Sequence, residues 1–176
     1  MQIKSERLLL RELRLTDAKD MFEYTSIPEV SKFLLWNPHK SIKEDEDYIR
    51  NCLQEENETS FFLGVELVSE KKLIGCIHVF HITRKHMRAE FSTILSPHYQ
   101  SKGYATEAIR AIIGYLFREG FVRVQSMCDC ENERSEEMLK RCGMTCEGIL
   151  KNFAILKDGK AHPMKMYAIC NDLDDQ

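Results

Sequence analysis

The sequence predicts an α/β fold in which a mostly antiparallel sheet contains one parallel strand–helix–strand crossover. From residue 61 onward, apolar residues recur with the period of a β-strand. Residues 104–119 instead carry apolar side chains at the spacing of an amphipathic helix, which Gly120 ends. A strand is predicted on each side of this helix, over residues 88–95 and 121–128. Because a helix commonly connects two parallel strands, these three segments form the predicted crossover, and further helices flank the sheet.

The first third of the chain is predicted to begin with a strand and to continue with helices. Residues 5–15 have the apolar pattern of a strand, and Thr16-Asp17 can cap a helix that Pro28 then ends. A short turn of helix is expected over residues 30–34. The sequence Ser-Ile-Lys-Glu at 41–44 matches a capping box, which opens the next predicted helix.

The remaining two thirds are predicted to supply the rest of the sheet and two more helices. The predicted strands are 61–67, 72–80, 88–95, 121–128, 147–156 and 161–170, and the predicted helices are 104–119 and 132–141. Lys157-Asp158-Gly159-Lys160, between the last two strands, is typical of a hairpin turn. No internal repeat or linker interrupts the pattern, so we expect residues 1–176 to form a single domain.

Composition narrows the function classes. With 176 residues, of which 43% are hydrophobic, the chain can build a core without a metal or disulfides. Its net charge of −3 lacks the basic surface of a nucleic-acid-binding module, so no nucleic-acid partner is expected. No apolar run approaches the ~18 residues of a membrane span, and the charged residues 1–7 do not begin a signal peptide.

The seven cysteines predict a reducing compartment. An odd number of cysteines is unusual in a secreted protein, so free thiols and a cytoplasmic location are expected. A zinc site built from Cys128, Cys130, Cys142 and Cys146 is an alternative, although their spacing differs from the usual C-x₂-C pair. His78 and His81 are expected on opposite faces of a strand, which argues against a shared ligand role.

The segment 96–108 is the most informative for chemistry. It lies between a predicted strand and the start of the longest predicted helix. A helix N-terminus after a glycine-containing turn presents unpaired backbone N–H groups that suit a phosphate. The segment lacks both the Walker P-loop pattern and the G-x-G-x-x-G dinucleotide fingerprint. The alternative is an ordinary strand-to-helix turn with Gly103 at positive φ.

Gln100-x-x-Gly103-x-Ala105 resembles the Q/R-x-x-G-x-G/A acyl-CoA pyrophosphate loop of the GNAT superfamily of N-acetyltransferases. Other segments resemble, in family order, its ribosomal-protein N-terminal acetyltransferase branch. They are Leu8–Arg11 and 16–18 at the start, Trp36 with Ser41, Glu44 and Asp45, Asn132-x-x-Ser135 with Leu139, Cys142, Gly143 and Met144, and 147–148, 158–159 and 167–168 in the closing hairpin. The resemblance covers nearly the whole chain and implies a GNAT-type fold that uses acetyl-CoA and no metal.

The resemblance also implies how the cofactor is held. The strand before the loop would pair with the pantetheine arm and polarise the thioester carbonyl. Backbone N–H groups of the loop would hold the pyrophosphate, with Thr106 adding a hydroxyl and Tyr104 mainly packing. The implied cofactor-binding residues are Thr93, Ile94, Leu95, Gln100, Ser101, Lys102, Gly103, Tyr104, Ala105, Thr106 and Asn132.

Two residues are candidates for the proton transfers. Glu90 is the candidate base for the amine, and the alternative is an ion pair with a neighbouring cation, Arg88, Arg84 or Lys85. Ser135 is at the family position of the acid that protonates the leaving thiolate. Its alternative role is the third residue of a helix capped by Asn132. Ala154, on the predicted strand 147–156, departs from the ribosomal-type pattern, because some members of that branch have a carboxylate at this position.

The expected activity is acetyl transfer to an amine-bearing acceptor. The first candidate acceptor is the N-terminal α-amine of a protein, such as a ribosomal protein. One alternative is a small-molecule amine, that is, an antibiotic, a polyamine or an amino-acid-like compound. The other is a non-catalytic acyl-CoA-binding sensor. No membrane partner is expected, and the chain is expected to be a monomer or a homodimer. Trp36 is expected to pack rather than to gate the substrate.

Overall fold

The computed structural model describes residues 1–171, which form an eight-stranded sheet with two helices on each face. The strands are β1 Gln2–Lys4, β2 Leu8–Arg11, β3 Phe61–Leu67, β4 Lys72–Thr83, β5 Arg88–Leu95, β6 Arg123–Asp129, β7 Thr145–Ile155 and β8 Ala161–Cys170. Their order across the sheet is β1-β2-β3-β4-β5-β6-β8-β7. Of the strand pairs described within residues 1–171, β5–β6 alone is parallel. The predicted fold class is therefore confirmed.

The helices form two layers. They are α1 Ala18–Thr25, α2 Ile42–Glu55, α3 Tyr104–Arg118 and α4 Glu133–Arg141. The larger core lies between the sheet and α3 and α4, and the smaller core lies beneath α1 and α2. In α3 the residues at helical spacing, Ala108, Ile109, Ile112, Ile113 and Leu116, are all buried. None of the helices within residues 1–171 has the length and hydrophobicity needed to span a membrane.

The strand predicted over residues 5–15 is present but covers only Leu8–Arg11, and a short strand that was not predicted precedes it. The chain forms β1, turns where the Ser5 amide donates to the Leu8 carbonyl at 3.0 Å, and then forms β2. Arg11, the last residue of β2, is buried, binds both carboxylate oxygens of Asp17 at 2.8 Å and also contacts Glu66 at 2.6 Å. This buried ion pair folds the chain back at the end of β2, so the strand stops there.

Two helix predictions in the first third also differ from the structure. Residues 30–34 form successive turns rather than a helical turn, and each turn is closed by a bond to the third residue before. The helix predicted from residue 42 is present as α2, but the capping box is not formed. The side chain of Glu44 accepts instead from the amide of Lys40 at 3.0 Å. The remaining predicted helices and strands are present, with ends shifted by a few residues.

Candidate active site

A gap opens between the two parallel strands at the centre of the sheet. The pairing of β5 with β6 runs from Arg88↔Arg123 to Glu90↔Gln125 and goes no further within the described residues. Beyond this point, β5 stays paired with β4 on its other side. Their close approach requires Gly75, because a Cβ there would lie 2.3 Å from the carbonyl oxygen of Ile94. Main-chain groups of residues 91–95 that face β6 are therefore left without a strand partner.

A cleft of about 1490 Å³ passes through this gap. One end is lined by the turn before α3 and by the first turn of that helix. The middle is lined by residues 92–95 of β5 and 126–129 of β6. The end opposite the helix is called the far end below. It is formed by the residues Glu29, Val30, Phe33, Leu34, Met127, Asp129 and Met164. The cleft thus joins a helix N-terminus on one side of the sheet to a mixed apolar and acidic surface on the other.

The turn before α3 has the geometry of an anion site. Gly103, the N-cap residue, has φ 84°, and Ser101 has φ 62°, so the turn passes through the left-handed region that favours glycine. The main-chain N–H groups of residues 101–106 donate to no atom within the described part of the chain. Six consecutive free donors at the positive end of a helix dipole fit a pyrophosphate.

An ion pair fixes the start of α3 against the N-terminal turn. Glu107 accepts hydrogen bonds from the Ser5 hydroxyl, the Arg7 amide and the Arg7 side chain, each at 2.7 Å. The Arg7 guanidinium also lies 4.4 Å above the ring of Tyr104 and donates to the carbonyl of Lys102 at 3.1 Å. The turn is therefore held in place before any ligand binds, and Tyr104 has the packing role expected of it.

The charges along the cleft are unevenly distributed. The basic residues that line it are Lys4, Arg7, Arg110, Arg118, Arg134 and Arg141. Lys4 lies in β1 and Arg7 follows that strand, whereas the four other arginines lie in α3 and α4. The helix end also has the carboxylates of Glu6 and Glu107, of which Glu107 is paired with Arg7. The far end has the carboxylates of Glu29 and Asp129, with no basic residue among those that line it. The helix end of the cleft therefore suits a phosphorylated ligand and the far end a cationic one.

Gln100 has a different position from that of a simple phosphate ligand. Its side-chain oxygen accepts a hydrogen bond from Arg134 of α4. Its side-chain nitrogen donates to the carbonyl oxygen of Leu95 at 3.4 Å. Gln100 therefore connects the end of β5, the turn before α3 and α4. Thr93, which lines the gap, donates its hydroxyl to the carbonyl of Cys76 at 3.2 Å.

Glu90 lies at the point where the two parallel strands separate. Its carboxylate is buried, and one oxygen, Oε2, accepts from the amide nitrogen of Gln125 at 3.0 Å and lies 3.4 Å from Nδ1 of His81. Arg84, Arg88 and Lys85 make no ion pair with it in the described residues, so the alternative of an ion pair with one of these cations has no support. Since successive residues alternate faces, Glu90 shares its face with Ser92, which lines the cleft.

The expectation that His78 and His81 lie on opposite faces of β4 is also wrong. The register of β4 against β5 shifts after Phe80, and His81 takes φ 49° in this bulge. The bulge turns the ring of His81 to within 4.8 Å of Phe80, whose ring lies 4.8 Å from that of His78. His78 stacks on Phe62, and burial lowers its pKa to about 4. His81 is mostly exposed and next to Glu90.

Asn132 and Ser135 lie at the N-terminus of α4, and both line the cleft. The side-chain oxygen of Asn132 accepts from the amide of Ser135 at 3.2 Å. Asn132 therefore caps the helix and Ser135 is its third residue, as the alternative to the acid role states. The Ser135 hydroxyl has no hydrogen-bond partner among the described residues. The cap and a free hydroxyl that lines the cleft are therefore both present.

These two positions are expected to respond differently to alanine. Asn132→Ala removes the cap and should lower stability by about 0.5–2 kcal/mol, and it should also weaken cofactor binding. Ser135→Ala should leave stability and cofactor affinity unchanged but lower kcat, if the hydroxyl protonates the departing sulfur. Denaturant unfolding and single-turnover kinetics distinguish the two. Wild-type single-turnover rates in Ser135→Ala would remove this residue from the mechanism.

Glu136 ties α4 to the sheet. Hydrogen bonds from Lys165, Tyr167 and Lys140 lower the pKa of its carboxyl to about 2. A carboxyl whose pKa falls on folding stabilises the protein above its ordinary pKa of 4.5, and this stabilisation is lost as the pH falls towards 2. Glu136→Gln should therefore lower the urea midpoint at pH 7 and have little effect near pH 2. Glu137→Gln, which affects only a contact to Lys140, is the control.

A second carboxylate cluster, absent from the sequence prediction, lies at the far end of the cleft. Asp129, at the end of β6, is 2% exposed, and its side chain lies 2.7 Å from Nδ1 of His162. The other ring nitrogen of His162 lies 3.1 Å from Asp158 in the β7–β8 turn. Asp158 and Asp129 raise the pKa of His162, against the opposing effect of burial. The cluster thus fixes this turn beside the far end of the cleft.

The segment between α1 and α2 completes the far end and is held at two points. The ring of His39 lies 3.0 Å from the fully buried Asp45, which also accepts from Thr25. Lys157 of the β7–β8 turn donates to the hydroxyl of Ser31 at 2.8 Å. Trp36 is half-buried and packs 5.0 Å from the ring of His39, in the packing role expected of it.

The cysteines do not form a metal site in the described structure. All seven are free thiols, and burial raises the pKa of Cys128 and Cys142 to about 11. Within residues 1–171, no three side chains of His, Cys, Asp or Glu converge in the manner of metal ligands. The zinc alternative therefore has no support.

Comparison with known proteins decides the family. The acetyltransferase (GNAT) domain model matches residues 7–145. The chain belongs to the GNAT acetyltransferase family. This GNAT domain is 33% identical over 152 residues to an uncharacterized N-acetyltransferase of Bacillus subtilis (strain 168), with 86% of each chain covered. Its structure is similar to a crystal structure of a GNAT acetyltransferase from Bacillus anthracis, with 28% identity, a TM-score of 0.85 and coverage of 97% and 98%.

Relatives of this GNAT domain act on different acceptors. The spermidine N(1)-acetyltransferase of Escherichia coli (strain K12) is 29% identical over 142 residues, which cover 80% of this chain and 74% of that one. The ribosomal protein uS5-alanine N-acetyltransferase of the same strain is 28% identical over 104 residues, or 58% and 53% of the two chains. The predicted membership of the superfamily is confirmed, whereas the ribosomal-protein branch is not singled out.

Proposed function

We propose that this GNAT domain transfers the acetyl group of acetyl-CoA to a primary amine. The observation that supports it most is the run of free main-chain donors over residues 101–106, which open into a cleft that continues through the sheet. A bound diphosphate would satisfy donors that the protein itself leaves free. Basic residues at the same end of the cleft, such as Arg110 and Arg134, suit the remaining phosphate of coenzyme A.

The gap between β5 and β6 is the proposed path of the pantetheine arm. Residues 93–95 would pair with its amides through main-chain groups that have no strand partner on the β6 side. One of these N–H groups would polarise the thioester carbonyl and stabilise the negative charge that develops on its oxygen. Acetyl-CoA supplies an activated acyl group, so the remaining chemistry is proton transfer by side chains of the protein.

Glu90 and Ser135 are proposed to divide the proton transfers between them. An amine must lose its proton before it attacks, and Glu90 lies at the end of the gap with a free carboxylate oxygen, Oε1. Ser135 lines the cleft with an uncommitted hydroxyl and would donate a proton to the leaving thiolate. The first step makes the nucleophile, and the second stabilises the leaving group.

The first candidate acceptor is the α-amine of a protein or peptide. The apolar residues at the far end, Val30, Phe33 and Leu34 with Met127 and Met164, suit the side chains of a peptide N-terminus. An α-amine has a pKa of about 7.7–8.0, so modest help from one carboxylate is enough to deprotonate it. A polyamine is the second candidate, because Glu29 and Asp129 would attract its additional cationic groups.

The deciding experiment measures acetyl-CoA turnover, in a coupled thiol assay, across matched acceptors. The panel should contain short peptides with free N-termini, the same peptides with blocked N-termini, spermidine and an aminoglycoside. Turnover with free but not blocked peptides would support the α-amine acceptor, and preference for spermidine would favour the second candidate. Tight acetyl-CoA binding without turnover of any amine would contradict catalysis and favour a sensor. A reducing, cytoplasmic location is proposed for the protein, since all seven thiols are free.

A further inference from the structure

His81 is the only titratable side chain among the described residues that lies within hydrogen-bonding distance of Glu90. The other neighbour of the carboxylate, Gln125, is an amide and does not take up protons. The glutamate side chain is 5% exposed, whereas that of His81 is 75% exposed. One end of this short hydrogen-bonded pair is therefore buried at the apex of the gap, and the other is in water.

A local distortion of the chain creates this contact. In a regular strand, His81 would face away from Glu90, because Phe80 is the residue paired with Glu90. The bulge after Phe80 and the φ of 49° at His81 turn the imidazole to the Glu90 side of the sheet. A left-handed backbone at a non-glycine residue costs free energy, and such strain is concentrated at functional positions.

The remaining oxygen of the carboxylate has no partner in the protein. Oε2 faces both Gln125 and His81, and Oε1 has no hydrogen-bond partner among residues 1–171. In the described part of the chain, the hydroxyl of Tyr24 is the only fully enclosed side-chain polar atom that lacks a hydrogen-bond partner. Oε1 of Glu90 also lacks a partner, so it is not fully enclosed and is still reached by solvent. The carboxylate can thus receive a proton on one oxygen while the other faces the imidazole.

We propose that His81 passes the proton collected by Glu90 to solvent, and this inference rests on the proposed function. The overall reaction of an ammonium with acetyl-CoA forms an amide and a thiol, and it releases one proton. Glu90 takes that proton from the ammonium and becomes a neutral carboxylic acid. Rotation of the carboxyl group brings this proton to the side of His81, where the acid donates it to the unprotonated Nδ1 of the imidazole. The resulting imidazolium then returns a proton to water or buffer. Both groups end in their starting states, ready for the next turnover.

The test uses His81→Asn. Asparagine tolerates the left-handed backbone and can hydrogen-bond Glu90, but it does not carry protons at neutral pH. At low buffer concentration, the variant should lose roughly tenfold or more in steady-state kcat, with unchanged acetyl-CoA affinity and melting temperature. Its single-turnover rate should stay near that of wild type, because the Glu90 carboxylate is already ionised when the first turnover begins. Added imidazole should restore kcat, because the position of the lost ring is open to solvent. His86→Ala, an exposed histidine of the same hairpin, should behave as wild type.

Each other outcome has a definite meaning. A wild-type steady-state kcat for His81→Asn at low buffer concentration would overturn the relay. A slow variant that imidazole does not restore would also overturn it and leave His81 a structural role. Absence of turnover by the wild-type protein with every amine would contradict the proposed function itself, before any variant is compared. Failure of the relay and failure of the function are therefore distinguishable.

Discussion

Gly103→Asp is expected to abolish the stabilisation of the protein by acetyl-CoA. At a ligand concentration of one hundred times Kd, the wild-type chain should gain about 2.7 kcal/mol of unfolding free energy. In the variant, a carboxylate would lie among the free N–H groups of residues 101–106, where it would repel the pyrophosphate and compete for its donors. Thermal or urea unfolding with and without acetyl-CoA measures both effects.

Two control variants separate charge from backbone strain. Gly103→Asn has nearly the same shape and tolerates the φ of 84°, but it has no charge, so it should keep much of the stabilisation. Gly159→Asp places the same carboxylate at φ 75° in the β7–β8 turn, where a Cβ would meet nothing within 4 Å. It should respond to acetyl-CoA as wild type does. Equal stabilisation of Gly103→Asp and the wild-type chain would show that the pyrophosphate binds elsewhere.

The sequence predicted well those elements whose burial is periodic. The buried face of α3 repeats at helical spacing, and the crossover follows from the strands on either side of it. The end of β2 was not predictable in this way, because it depends on a buried ion pair between Arg11 and Asp17. The bulge at His81 likewise depends on how β4 meets β5, which the local alternation of residues does not encode.

The candidate site shows the same division. The turn at residues 100–106 could be predicted, because a helix N-terminus with its glycine is a continuous motif. Gln125 and Asp129 were missed, because their partners, Glu90 and His162, are 35 and 33 residues away in sequence. A signal was available for Gln125, since it is a polar residue midway along the strand predicted to run parallel to the one with Glu90. Its partner, Glu90, becomes known only from the register of β5 against β6.

Glu90→Gln is expected to lower turnover by roughly 10²–10⁴ at neutral pH. Glutamine keeps the size of the side chain and can still hydrogen-bond Gln125, but it does not accept a proton from the ammonium. Acetyl-CoA affinity should be nearly unchanged, because Glu90 is not among the residues that line the cleft. The comparison requires kcat and kcat/KM over a range of pH, together with melting temperatures.

The pH profile identifies the role of the carboxylate. If Glu90 removes the proton, the defect should shrink as the pH rises towards the pKa of the acceptor, about 7.7–8.0 for an α-amine, since the free amine then forms without help. The control is Glu147→Gln, which breaks an exposed ion pair with Arg123 at the start of β6. It should leave turnover unchanged at every pH. A loss in Glu90→Gln that is independent of pH and accompanied by a lower melting temperature would instead assign Glu90 to the structural pairing of β5 with β6. In that case the amine would have to be deprotonated by solvent or by the second carboxylate at the far end, Asp129, and Asp129→Asn would show the pH-dependent defect.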